Sequence, residues 1–179
     1  YKQFMNMKKL TLLLLSVFAM TAVAQVTTIP AIIQKGYTGE VTIIFNPNEG
    51  NKGMAGAAYC YAHTGLITSA SSSDSDWKNV VEGWRQNTSK TKMTKDGNNW
   101  KLVIPNIYTF YGVPSSTDIK KLAFVFHDGP SGVKEGKTAE GSDIYVELAE
   151  QGLAVSISQL PEISSLNGQF TITGNATAS

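Results

Sequence analysis

The segment Lys120–His127 alternates between two apolar faces, and this pattern restricts the fold of the chain more than any other feature. Leu122, Phe124 and Phe126 fall on one side of an extended segment, because successive side chains of a strand point in opposite directions. The segment Asp143–Leu148 repeats the pattern. Alternation of this kind has the period of a strand with one buried face and not the period of a helix.

Further strands are predicted from β-branched and aromatic runs. They lie at Val41–Phe45 and Ala57–His63, and a hairpin joins Thr91–Lys95 to Trp100–Ile104 through the turn Asp96–Asn99. Short strands separated by turn signals indicate an antiparallel all-β sandwich or barrel. The side chains expected between two packed sheets are Ile43, Phe45, Leu102, Ile104, Phe124 and Phe126.

Residues 77–84 allow two interpretations. Their apolar members have the i, i+3, i+4, i+7 spacing of an amphipathic helix and are Trp77, Val80, Val81 and Trp84. Gly83 disfavours the helix by about 1 kcal/mol relative to alanine. We favour an extended Trp77–Val81 segment with Trp84 in a following loop, after a polar surface loop at Thr64–Asp76.

The N-terminal segment has the three parts of a secretory signal peptide. Lys8 and Lys9 precede the apolar run Leu10–Ala24, which ends in the small-x-small motif Ala-Val-Ala. The run is too short for a membrane span, which needs about 20 residues. We expect cleavage after Ala24, an upstream extension at residues 1–6, and a secreted or cell-surface protein that is not held in the membrane after cleavage.

The remainder of the chain is predicted to contain one complete domain. A β-sandwich domain is expected over residues 25–152, a linker over 153–161, and the truncated start of a further β domain over 162–179. The last expectation comes from alternation in residues 168–174, for which the sequence offers no partner strand. The chain is therefore interpreted as the N-terminal part of a longer secreted protein.

The charge balance changes when the signal peptide is removed. Loss of Lys2, Lys8 and Lys9 leaves 12 basic residues against 14 acidic ones and a net charge of −2, compared with +1 for the whole chain. The sequence has no basic stripe that could follow a phosphate backbone. We therefore expect no nucleic-acid partner.

No residue pattern predicts catalysis or a cofactor. The chain lacks a phosphate-binding glycine loop and a pair of histidines at helical spacing. Its single cysteine, Cys60, cannot form an internal disulfide and is expected as a buried apolar side chain, on the strand face opposite His63. Loop residues Asp128, Glu140 and Asp143 carry the oxygen ligands that calcium prefers, but we predict no metal there.

Three aromatic residues border the polar loop and are the candidate binding residues. Tyr59 and Tyr61 are expected on one face of the second strand together with His63, and Trp77 follows the loop. A flat ring with a polar edge suits a sugar, whose C–H face is apolar and whose rim carries hydroxyls. We expect the three rings to form a partly exposed, roughly coplanar platform; burial in the core is the alternative.

Several motifs, taken in order, resemble the starch-binding carbohydrate-binding modules of families 25 and 26. They are also similar to the N-terminal domain of secreted α-amylase-type glycosidases from Bacteroides-like bacteria. The resemblance covers about residues 38–150. The segments that carry it are Val41–Phe45, Tyr59–His63, Trp77, Met93, Gly97, Trp100–Pro105, Leu122–Gly129 and Ser142–Val146.

The resemblance implies an immunoglobulin-like β-sandwich that binds α-glucan without catalysis of its own. The implied sugar-stacking residues are Tyr59, Tyr61 and Trp77, and the implied partner in the full-length protein is a downstream glycosidase domain. Residues 131–136 depart from the family pattern, which places a tryptophan and an asparagine shortly after the turn that corresponds to Asp128 and Gly129. The alternative function is a structural immunoglobulin-like spacer that binds no ligand.

Overall fold

A computed structural model describes residues 24–86 and 89–152, together with the backbone of residues 154–156 and 175–177. The signal peptide expected at residues 1–24 lies outside the described residues except for Ala24. Most of the further domain expected at 162–179 lies outside them as well. Among the residues that are described, no helix has the length and apolar character needed to cross a membrane.

The described residues fold mainly into strands. In chain order the elements are β1 (Val26–Ile29), β2 (Ile33–Gln34), β3 (Val41–Phe45), β4 (Tyr61–Thr68), β5 (Thr94–Asp96), β6 (Asn99–Ile104), α1 (Ile107–Tyr111), β7 (Ile119–His127), β8 (Glu135–Gly136), β9 (Ile144–Ala149), β10 (Ala154–Ser156) and β11 (Asn175–Thr177). The short helix α1 begins after Asn106, whose side chain accepts a hydrogen bond from the Thr109 N–H. It ends at Gly112, which has the left-handed conformation that glycine tolerates.

The main strands form two sheets. The first sheet has the order β1-β3-β6-β5 and is antiparallel throughout. The second has the order β2-β9-β7-β4, and β8 pairs with the end of β7. In this second sheet β2 pairs with β9 in parallel, whereas β9, β7 and β4 are antiparallel neighbours. Strands β10 and β11 pair with each other in a separate antiparallel ribbon.

The two sheets enclose a common apolar core. The Phe45 ring of β3 stacks on the Phe126 ring of β7 with centroids 3.9 Å apart, and the Phe124 ring lies 5.7 Å from Phe126. All of the side chains predicted between the sheets are buried. Burying one such side chain contributes about 1.5–3 kcal/mol to stability. The predicted all-β sandwich is therefore confirmed, and its immunoglobulin-like refinement stays a prediction.

Strand β4 begins and ends later than predicted. The strand expected to end at His63 spans Tyr61–Thr68, so the start of the predicted polar loop belongs to the strand. Thr64 occupies a core position because its hydroxyl donates to the Ala123 carbonyl at 2.8 Å and lies 2.7 Å from the Tyr111 hydroxyl. These hydrogen bonds compensate the loss of water around a buried polar group.

Residues 74–86, called the covering segment below, cross the outer face of the second sheet. Lys78 exchanges two backbone hydrogen bonds with Leu66 of β4, with N–O distances of 2.7 and 2.8 Å. Gly65 permits this approach, because a Cβ atom there would lie 3.1 Å from the Lys78 carbonyl oxygen and 3.3 Å from Trp77 Cε3. The helical interpretation of this segment is therefore wrong. The favoured extended segment is realised only at Lys78, which pairs with β4 at an isolated bridge, because the next residue, Asn79, has a left-handed φ of 49°.

Candidate functional site

An open groove of about 460 Å³ lies on the outer face of the second sheet, beside the covering segment. His63 of β4 and Val125 of β7 are direct neighbours across the two strands and form its floor. The covering segment adds the apolar side chains of Trp77, Val80 and Trp84. The polar residues that line the groove are Ser75, Asp76, Lys137 and Asp143.

His63 is the centre of an aromatic cluster at this groove. Its imidazole stacks on the Trp77 ring, with centroids 5.6 Å apart and planes inclined by 25°. The Trp84 ring meets the same imidazole edge-on, at 5.1 Å and 85°. The two indoles therefore cross at a steep angle and border the groove from two directions. Trp84 keeps 46% of its surface exposed, which leaves it accessible to a ligand.

The His63 side chain is uncharged at neutral pH. Burial lowers the pKa of His63, and this effect exceeds the opposing influence of the Asp143 charge and of a hydrogen bond with the Glu82 backbone. Its Nδ1 atom is buried without a hydrogen-bond partner among the described residues. The imidazole consequently contributes ring surface, rather than a positive charge, to the groove.

A second histidine packs against the Trp84 ring that borders the groove. His127 of β7 is 1% exposed, stacks on Tyr61 with centroids 5.6 Å apart, and lies 5.5 Å from the Trp84 ring centroid. Its Nδ1 accepts a hydrogen bond from the Gly129 N–H at 3.1 Å. Burial, followed by the positive charge of Arg85, lowers the pKa of His127 to about 4. This ring is therefore also neutral and acts as packing surface for Trp84.

Arg85 fastens the covering segment to the loop of residues 128–135. Its Nη1 donates to two carbonyl oxygens of that loop, at 2.6 and 3.1 Å, and lies 3.2 Å from an Asp128 carboxylate oxygen. The guanidinium carbon lies 5.3 Å from the Trp84 ring centroid. The backbone φ of Arg85 is 59°, in the left-handed region that costs a non-glycine residue about 1–3 kcal/mol. The side-chain contacts therefore hold a strained turn that presents Trp84.

Two acidic residues of the groove differ in their partners. Asp76 accepts hydrogen bonds from Lys78 at 2.7 Å and from the amide and hydroxyl of Ser72 at 2.9 and 3.1 Å. The Lys78 contact, followed by those of Ser72, lowers the pKa of Asp76 to about 2. Asp143 has no hydrogen bond or ion pair within the described part of the chain. The Asp76 carboxylate is thus bound by groups of the protein, whereas the Asp143 carboxylate is available to accept hydrogen bonds from a ligand.

The structure does not bring the three predicted binding aromatics together. Tyr59 precedes β4 and is 58% exposed outside the groove, where the Lys92 ammonium lies 5.7 Å from its ring centroid. Tyr61 is only 7% exposed, because it packs on a buried histidine. The expectation of a partly exposed ring is therefore wrong for Tyr61. Trp77 alone of the three lines the groove.

Sequence reasoning missed Trp84 as a site residue. Its spacing of seven residues from Trp77 was no valid signal, because that spacing places two side chains on one face only in a helix, and residues 77–84 form none. His63 does lie on the same strand face as Tyr61, as the alternation predicted, since both project outward from β4. The aromatic set at the groove is thus Trp77, Trp84 and His63.

The described residues hold no cluster of three or more His, Cys, Asp or Glu side chains that could bind a metal ion. Cys60 is fully buried, with its Sγ 3.4 Å from the Met93 Sδ atom. Burial raises the pKa of the Cys60 thiol, which keeps it protonated. Its predicted role as a buried apolar side chain is confirmed.

No protein-family model matches this chain, and no curated protein matches it. The class of protein is therefore defined by its structure: an all-β sandwich with an aromatic groove, rimmed by polar residues, on the outer face of one sheet.

Proposed function

We propose that this domain is a non-catalytic glycan-binding module and that α-glucan is its ligand. The observation that carries the proposal is the groove in which Trp77 and Trp84 border an open space beside His63. Ligand sites commonly have volumes of about 300–1,000 Å³ and combine aromatic surface with a few polar groups. The groove has this size and this composition.

The chemistry of a sugar matches both parts of the lining. The apolar C–H face of a pyranose ring packs on an indole, and its hydroxyls can form hydrogen bonds with the Ser75, Asp76 and Lys137 side chains at the rim. The steep angle between the Trp77 and Trp84 planes suits a chain that bends at every linkage, as α-1,4-linked glucan does. A flat polysaccharide surface would instead match coplanar rings.

The resemblance to starch-binding modules supports the same ligand class and gives the domain a biological setting. In that setting it belongs to a secreted α-amylase-type glycosidase and keeps a downstream catalytic domain close to its polysaccharide. A sugar offers little apolar area, so the expected dissociation constant is about 10⁻⁵–10⁻³ M, or about −4 to −7 kcal/mol.

A structural spacer is the second candidate function, and the packing of Trp77 favours it. The Trp77 ring lies against Gly65 and stacks on His63, so part of its surface serves to cover the sheet. Tyr61 is buried on the same face. If covering the sheet is the whole role of these rings, the domain positions its neighbours in the full-length protein and binds no glycan.

Native gel electrophoresis with and without amylopectin separates the two functions. The wild-type chain is expected to migrate more slowly in the amylopectin gel, and the Trp84→Ala chain to migrate equally in both gels. Tyr59→Ala is the matched control, because Tyr59 is an exposed aromatic residue outside the groove. It is expected to keep the wild-type retardation.

Two results of this experiment would contradict the proposal. Equal migration of the wild-type chain in both gels would favour the spacer. Loss of retardation in Tyr59→Ala, with normal retardation in Trp84→Ala, would place the sugar at Tyr59 rather than at the groove.

A further inference from the structure

Asp143 differs from other carboxylates near the groove because nothing in the described part of the chain binds it. It lies immediately before β9, lines the groove and is half-buried. Asp76, by contrast, is held by Lys78 at 2.7 Å, and Asp128 accepts hydrogen bonds from Arg85 and a backbone N–H at 3.2 and 3.1 Å. The Asp143 oxygens are not among the buried polar atoms that lack a partner, so they are accessible at the groove, where either water or a ligand can donate to them.

The charged and polar groups around Asp143 do not neutralise it. Lys137 lines the same groove, but its ammonium lies 3.7 Å from a Glu135 carboxylate oxygen. His63 is uncharged at neutral pH, since burial outweighs the Asp143 charge in setting its pKa. The Tyr145 hydroxyl donates to a backbone carbonyl of the covering segment at 2.9 Å. The Asp143 oxygens consequently remain free to accept hydrogen bonds.

We infer that Asp143 is the specificity-determining residue of the groove, where its carboxylate accepts hydrogen bonds from adjacent hydroxyls of a neutral sugar and excludes anionic sugars. This inference rests on the proposed glycan-binding function. An ionised carboxylate only accepts hydrogen bonds, and its two oxygens match two neighbouring hydroxyl donors. Hydrogen bonds to such a charged acceptor are stronger than those between neutral groups.

The same carboxylate acts against a ligand that carries its own negative charge. Binding removes water from the groove, and an unpaired charge that loses its water is costly unless donors replace it. A neutral sugar supplies those donors at Asp143. A carboxylate, sulfate or phosphate group at the same place supplies none and adds repulsion between like charges, which is how a site rejects the wrong partner.

Isothermal titration calorimetry with three matched ligands tests the inference. The ligands are maltoheptaose, the same oligosaccharide oxidised to a carboxylate at C6, and the same oligosaccharide methylated at O2 and O3. The wild-type chain is expected to bind maltoheptaose and to bind both modified ligands about tenfold more weakly or worse, and a factor of ten corresponds to about 1.4 kcal/mol.

Three variants separate charge from structure. Asp143→Asn is expected to weaken maltoheptaose binding about tenfold and to narrow the gap between the neutral and the carboxylated ligand. Asp143→Glu retains the charge and is expected to retain the discrimination. Glu140→Gln removes the same charge from an exposed neighbouring turn. It is expected to change neither the affinity for maltoheptaose nor the difference in affinity between the neutral and the carboxylated ligand.

The outcomes distinguish this inference from the proposed function. Wild-type affinity for maltoheptaose in Asp143→Asn, with unchanged rejection of the carboxylated ligand, would overturn the inference and leave the glycan-binding proposal standing. A wild-type chain that binds none of the three ligands would overturn both.

Discussion

Strand β7 is buried on both of its faces, but the two faces are covered in different ways. Its inner face presents Leu122, Phe124 and Phe126 to the opposite sheet, and each of them is 0% exposed. Its outer face presents Val125 and His127, which are 4% and 1% exposed beneath or beside the covering segment. The inner face is therefore a property of two packed sheets. The outer face becomes a groove only because a loop from another part of the chain crosses it.

The inner face is the place where a single substitution should do most damage. Phe126→Ala is expected to lower the free energy of unfolding by about 3–5 kcal/mol, because it removes the ring that stacks on Phe45 and leaves a cavity between the sheets. Urea unfolding followed by tryptophan fluorescence measures the loss. Val103→Ala on the exposed side of β6 serves as the control and should change stability by less than about 0.5 kcal/mol.

The outer face should make stability depend on pH. The pKa of His127 is about 4 in the folded protein, below the ordinary value of 6.5, so the unfolded chain binds more protons between these values. The contribution of His127 to stability is therefore complete above pH about 6.5, and up to about 3 kcal/mol of it is lost as the pH is lowered to 4 and below. His127→Gln should remove most of this slope. An equal slope in the variant and the wild type would show that His127 is not the titrating group.

The contacts of the covering segment should contribute less than the inner core. Arg85→Ala is expected to cost about 2 kcal/mol, because it removes one donor from two loop carbonyls and from the Asp128 carboxylate, which keeps only a backbone N–H. The exposed pair Lys101–Asp96, at 3.9 Å, is the control, and Lys101→Ala should cost less than about 0.5 kcal/mol. Thermal melts compare the two variants. Equal small shifts would mean that Arg85 does not hold the covering segment in place.

The inner face could be predicted from the sequence because a period of two is a local signal. Each strand that alternates in sequence places its bulky apolar residues between the sheets, as Ile43, Leu102 and Phe124 do. Strand β4 was harder to predict because Thr64 is polar, and its burial depends on hydrogen bonds to Tyr111 and Ala123 that no local pattern reveals.

The groove was only partly predictable, because it depends on contacts between distant parts of the chain. Trp77 was identified from its type and its position beside a polar loop. The contact of Trp84 with His63 requires the covering segment to return across β4, which Gly65 permits and Arg85 secures. Tyr61 was misjudged for the same reason, since its burial depends on a histidine that follows far along the chain in β7.

The indole N–H signals of the three tryptophans provide the most direct test of the central claim, that the outer face of the second sheet binds glycan. Trp77 and Trp84 border the groove, whereas Trp100 is 5% exposed between the sheets. In a ¹H–¹⁵N correlation spectrum recorded during titration with maltoheptaose, the account predicts concentration-dependent shifts for Trp77 and Trp84 and a stationary Trp100 signal. Three stationary signals at millimolar sugar, or a shift that leaves Trp84 unaffected, would contradict it.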